Sequence, residues 1–168
     1  MERSGPLARK TPLARKTPLA RGGRIRRFSI RRSGLSRSER LSLNRLHRWV
    51  VMLRADACLF EERGREMWRG KCEWCGKEHW LSVCHIEPKG HYPHMEFDAD
   101  NAWAGCSHCH LQRWHKAPRL AQAFITRLLG PEKVAELAAR AENRGAADWQ
   151  LVRRTLERAV FNRIGFIP

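Results

Sequence analysis

The sequence predicts an α+β chain in which helices dominate and a small β-hairpin occupies the middle. Three observations carry this: apolar residues at helical spacing on both sides of the centre, an apolar and β-branched run from Trp80 to Ile86, and two Cys-x2-Cys pairs bracketing that run. The chain has 168 residues, 42 % of them hydrophobic, enough for one core with an appendage. No apolar run approaches the roughly 18 residues of a spanning helix, which argues against a membrane protein. No apolar block followed by small residues opens the chain, so secretion by the usual route is not expected.

The appendage comes first. Lys and Arg number 33 against 17 Asp and Glu, a formal charge of +16, and residues 1–40 alone hold 13 basic and two acidic residues. A repeated PLARKT unit runs from Pro6 to Thr17, restarts at Pro18, and leads into Arg24, Arg26, Arg27, Arg31 and Arg32. Proline every sixth residue forbids a continuous helix, and little here is apolar enough to fold. Residues 1–36 are therefore expected to be a flexible basic arm that neutralises phosphates, with nucleic acid as the partner. An organellar transit peptide and an arm serving only solubility are the alternatives.

Ser36 and Glu39 form a capping-box pattern. Behind it, Leu46, Trp49, Val50, Leu53, Ala57 and Phe60 recur at helical spacing, so residues 37–70 read as a helical segment that breaks near Gly64 or ends by Gly70. The Trp80–Ile86 run and the turn residues between Lys89 and Asp100 fit a hairpin with a long connection. Residues 118–168 read as further helices. Pro118 and Pro131 suit first turns, Gly130 closes the first of these helices, and Asp148 lies near the start of the last. Leu120, Phe124, Leu128 and Leu129 form one stripe, and Val134, Leu137, Ala138 and Ala141 the next. Leu151, Val152, Leu156, Val160 and Phe161 form the third, and all three stripes read as core.

Cys72-Glu-Trp-Cys75-Gly76 and Cys106-Ser-His-Cys109 can close four thiolates into a tetrahedron around Zn²⁺, and the 30 residues between the pairs leave room for a hairpin and a loop. Six cysteines in a reducing compartment favour metal over disulfides. Cys58, among helical residues, reads as a small buried hydrophobe. Cys84 and His85 are neighbours in a strand and so point to opposite faces. His85, His91, His94, His110 and His115 are more histidines than one zinc ribbon needs. A closed site of four thiolates leaves them free for a second, open site holding a divalent ion and a water. Trp74, Trp80, Trp103 and Trp114 fall around the cysteine pairs and read as core, with stacking on unpaired bases the alternative.

Taken in order, Cys72-x2-Cys75, Cys84-His85-Ile86-x-Pro88, Asp100-Asn101 and Cys106-x2-Cys109-His110 resemble the zinc-containing branch of the HNH (ββα-metal) nucleases. The resemblance covers residues 66–118. The arm, the acidic loop Phe97-Asp98-Ala99-Asp100-Asn101 and the run Cys109 to Lys116 look like small phage-encoded members, including the NinG/Rap-type recombination nucleases. It implies a ββα-metal, treble-clef-like zinc core over residues 71–117.

The resemblance also implies roles. His85 would be the general base, Asn101 would fix its ring through a side-chain or backbone carbonyl, and His110 would ligate the catalytic metal with His115 as a further ligand. Relatives carry Asp or His before the base, where this chain has Cys84, a soft ligand that suits Mg²⁺ poorly. The expected cofactors are structural Zn²⁺ and, for catalysis, Mg²⁺ or a softer divalent ion such as Mn²⁺ or Ni²⁺. Lys89, Gln112, Arg113 and Lys116 flank the site and are candidates for phosphate contacts. The expected activity is metal-dependent hydrolysis of DNA, double-stranded or branched, in the bacterial cytoplasm if the chain is phage-encoded. A non-catalytic zinc-stabilised nucleic-acid-binding module is the rival reading.

Overall fold

The computed structural model describes residues 34–168. The arm, with Arg24, Arg26, Arg27, Arg31 and Arg32, lies outside the described residues. The first helix, α1 (Arg37–Arg54), begins at the expected capping box: the Ser36 hydroxyl accepts from the Glu39 N–H, and the Glu39 carboxylate accepts from the Ser36 N–H. One face of α1 buries Leu43, Leu46, Trp49, Val51 and Met52.

The helical reading of residues 55–70 is corrected. Helix α1 ends at Arg54, where Asp56 takes a positive φ, and the chain turns into β1 (Cys58–Glu62) and β2 (Arg65–Lys71). Arg63 and Gly64, at φ 52° and 70°, make the two-residue turn whose twist matches a hairpin. Every residue of β1 is exposed, so no alternation of apolar and polar residues marked it in the sequence. Cys58 is accordingly an exposed strand residue, not a buried helical one.

The expected central hairpin is present as β3 (Glu78–His85) and β4 (Ala102–Cys106), joined by a long connection with two short 3₁₀ turns. The four strands form one antiparallel sheet in the order β1-β2-β3-β4. Helices α2 (Pro118–Leu129), α3 (Pro131–Glu142) and α4 (Trp149–Ile164) follow. Pro118 and Pro131 occupy first turns, and the Asp148 carboxylate caps α4 by accepting from Gln150 and Leu151 N–H. Among the expected stripe residues, Phe124, Leu137, Leu156 and Val160 are buried, while Leu120, Leu151 and Phe161 are more than half exposed.

Helix α1 packs on the sheet through Trp49, whose ring meets Trp68 of β2 edge-on at 5.0 Å. Trp103, at 0 % exposure, centres an aromatic group with Trp74, Trp114 and Phe124, which joins β4 to the first cysteine pair and to α2. The core reading thus holds for Trp103, with Trp74 and Trp114 packed against it, but not for Trp80, which is 53 % exposed. No helix among the described residues is long and apolar enough to cross a membrane.

Candidate functional site

Two Cys-x2-Cys turns meet at one point. The first closes between β2 and β3, where Gly76 N–H donates to Cys72 O at 2.8 Å and Cys72 N–H to Lys77 O at 3.0 Å; a φ of 69° at Gly76 explains the glycine. The second joins the end of β4 to the following helical turn. The ligand atoms of Cys72, Cys75, Cys106 and Cys109 all lie within 4.8 Å of one another. Thiolates on one tetrahedral Zn²⁺, at about 2.3 Å each, stand about 3.8 Å apart, so the cluster is compatible with structural zinc. Backbone donors support it: Cys106 N–H points at Cys72 Sγ and Cys109 N–H at Cys106 Sγ, both at 3.4 Å. Burial pushes the Cys72 and Cys109 thiols up, a cost that a cation at the centre reverses. Glu73 ties this turn to β4 by accepting from Ala104 N–H and donating its own N–H to Ala104 O.

His110 and His115 are five residues apart, one more than suits an α-helical face. The chain resolves this with a π-helical turn, Cys109–Trp114, in which His115 N–H donates to His110 O. That wider ring brings the two imidazoles together, with their Nε2 atoms 3.2 Å apart and ring centroids at 4.8 Å. The separation is that of an N–H···N bond. It is also what two imidazoles on one divalent ion require, about 2.9 to 3.3 Å for bonds near 2.0 to 2.1 Å. The spacing is compatible with either arrangement.

His85, the last residue of β3, is held by a backbone carbonyl: its Nε2 donates to Glu96 O at 2.9 Å. Because a carbonyl only accepts, Nε2 carries the proton and Nδ1 keeps the lone pair. Burial lowers its pKa, and the Lys89 charge adds to this against the opposing pull of the Glu96 contact, so the neutral ring is favoured. His110 is likewise lowered, by burial first and then by His115 and His85.

Asn101 does not touch the His85 ring. Its Oδ1 accepts from Glu87 N–H at 2.6 Å and its Nδ2 donates to Glu87 O and Met95 O at 3.1 Å each, while Ile86 N–H donates to Asn101 O. A fully buried amide thus pins both ends of the loop that carries the Glu96 carbonyl. The same loop is held from outside by Arg140 of α3, through Asp98 at 3.0 Å and Asp100 at 3.3 Å, and by Arg40 of α1, which pairs with Glu96. His94 donates to Arg140 O, and His91 is an exposed loop residue.

Cys84 is not brought to the His110–His115 pair. The sole grouping of three or more such ligands among the described residues is the four-cysteine cluster. Cys84 is fully buried, its Sγ lies 3.5 Å from Ser82 O, and burial pushes its thiol up to about 12. It faces Gly105, where an added Cβ would stand 2.7 Å from Cys84 Sγ and 2.4 Å from the Trp103 ring. Strand alternation separates it from His85, and its part is packing.

One residue escaped the sequence reading. His47 of α1 is buried, donates from Nε2 to Asp98 O at 3.1 Å, and lies with its ring centroid 5.6 Å from that of His85. Burial, then the neighbouring His85, lower its pKa to about 4. The signal was available: His47 sits between Leu46 and Val50, on the apolar stripe of an otherwise regular amphipathic helix. Lys89, Gln112, Arg113 and Lys116 are all exposed, and Lys116 Nζ donates to Gln112 Oε1. No protein-family model matches the chain, and no curated protein or solved structure matches it.

Proposed function

We propose that the chain is a metal-dependent DNA endonuclease that hydrolyses phosphodiester bonds. The observation that carries this is a pair of imidazoles whose Nε2 atoms converge, His110 and His115, together with a third, His85, whose Nε2 is committed to the Glu96 carbonyl so that Nδ1 keeps its lone pair. A binder alone has no use for that pairing of a base with a half-built cation site. Excess positive charge supports a polyanionic substrate.

The resident residues divide the work. His85 Nδ1 takes a proton from the attacking water as its oxygen bonds to phosphorus and the bond to the 3′ oxygen breaks. Glu96 O holds the opposite ring nitrogen and fixes the tautomer. His47, Asn101 and Arg140 position the loop that presents this carbonyl. His110 and His115 would hold a divalent ion, which when bound supplies positive charge to the scissile phosphate and the departing oxygen. Lys89, Gln112, Arg113 and Lys116, all exposed, would hold neighbouring phosphates.

The test is nicking of supercoiled plasmid by zinc-loaded protein, with and without added Mg²⁺, Mn²⁺ or Ni²⁺. Conversion to open circles only with an added ion supports the reading; equal conversion in excess chelator, at unchanged zinc content, refutes it. The rival reading, a zinc-stabilised binder without chemistry, is favoured by the burial of Cys84, which leaves two protein ligands for the second ion.

A further inference from the structure

The strands do not stay paired along their whole length. β2 meets β3 only from Trp68↔Leu81 to Lys71↔Glu78; beyond that, residues 65–67 pair only with β1 and residues 82–85 only with β4. The gap opens a cleft of about 410 Å³ between the two strands and α1. His47, Arg48, His85, Lys89 and Trp80 are among the residues that line it. Neither Arg48 nor Lys89 forms an ion pair among the described residues, and both are exposed.

Trp80 should be buried in so small a protein, yet it is 53 % exposed. Its ring meets Phe60, itself 45 % exposed, edge-on at 5.6 Å, which fixes the indole without covering it. By strand register Arg65, Arg69 and Lys71 share that sheet face, and of the three only Arg69 has an ion-pair partner among the described residues, Glu78. A rigid exposed aromatic ring beside uncommitted cations matches a nucleobase with its phosphate, since the ring stacks on any base and the cations take the backbone. Trp80 and His85 stand five positions apart in β3, so strand alternation puts their side chains on opposite faces: His85 lies against His47 of α1, and the indole lies on the other face against Phe60.

We infer that the sheet face carrying Trp80, Phe60, Arg65 and Lys71 binds an unpaired segment of single-stranded DNA by stacking one base on the exposed indole. This rests on the nuclease reading only for the choice of nucleic acid as ligand; the binding site stands or falls by itself. A paired base inside a duplex cannot offer its face to Trp80, so the site discriminates strands by pairing and not by sequence.

Fluorescence anisotropy on the full zinc-loaded chain, without added divalent ion, measures affinity for a labelled oligothymidylate and for a blunt duplex of equal length. Trp80→Ala should weaken oligothymidylate binding about tenfold and leave duplex binding within about twofold. Trp80→Phe should retain most of the affinity, and Lys71→Ala should weaken it further at low salt than at high. Equal losses on both probes, or none on either, overturn the inference. Plasmid nicking by Trp80→Ala is followed in parallel with added metal. Nicking with unchanged oligothymidylate binding sinks this site and spares the nuclease; a selective binding loss in protein that nicks nothing does the reverse.

Discussion

The cysteine cluster and the histidine site lie a few residues apart and are built in opposite ways. Each half of the cluster is local, a four-residue Cys-x2-Cys turn whose spacing is written in consecutive letters, with a closing glycine, Gly76, after the first. The histidine site is assembled from α1, β3, the 86–101 loop and the π-helical turn, and its key contacts are to backbone carbonyls, which no residue type announces. Local chemistry tolerates changes elsewhere in the fold; distributed chemistry does not. The cluster should therefore govern whether the protein folds, and the histidines whether it acts.

The contrast is sharpest when the cluster is broken. Cys72→Ser or Cys109→Ser should release the metal and the tertiary structure together, since structural zinc sites contribute on the order of 10 kcal/mol. Near-ultraviolet circular dichroism with metal analysis checks this, and a native spectrum in zinc-free protein would contradict it. His110→Ala or His115→Ala should instead leave fold and zinc content intact while lowering ion-stimulated nicking by roughly a thousandfold, the scale of several kcal/mol of charge stabilisation. Initial nicking rates at saturating added metal measure it.

Two further variants probe the frame between them. Gly105→Ala places a methyl group against Trp103 and Cys84 and should cost about 1 to 3 kcal/mol in urea unfolding. His47 tests the loop. Its pKa of about 4 in the fold, against an ordinary value near 6.5 unfolded, means the unfolded chain binds the extra proton. Stability should therefore fall as pH drops from 6.5 to 4, by on the order of 3 kcal/mol from this group. His47→Gln should flatten that slope in urea titrations at several pH values. The smallest effect concerns Lys89, whose charge helps lower the His85 pKa. In Lys89→Ala the acid limb of the nicking profile should move to higher pH.

What could be read beforehand follows the same division. The capping box at Ser36, the proline-led helices, the long-connected hairpin and the four-cysteine spacing are short-range patterns, and each stands where the sequence put it. The β1–β2 hairpin was read as helix because Ala57 and Phe60 happen to continue the α1 spacing, while the exposed β1 offered no alternation. The fit of His115 depended on a π-turn that a five-residue spacing alone does not reveal. Asn101 was expected at the His85 ring and instead ties down the loop behind it, a role visible only once Glu87 and Met95 are brought to it. His47 was passed over because its partner lies 38 positions away, at His85.

The most direct test of the account is the plasmid-nicking rate of His85→Ala beside the wild-type chain, with zinc content and DNA affinity measured on the same samples. A drop of about a hundredfold or more at unchanged zinc and affinity is the expected result. Nicking at the wild-type rate would show that His85 is not the base and that the histidine site does not perform the chemistry assigned to it.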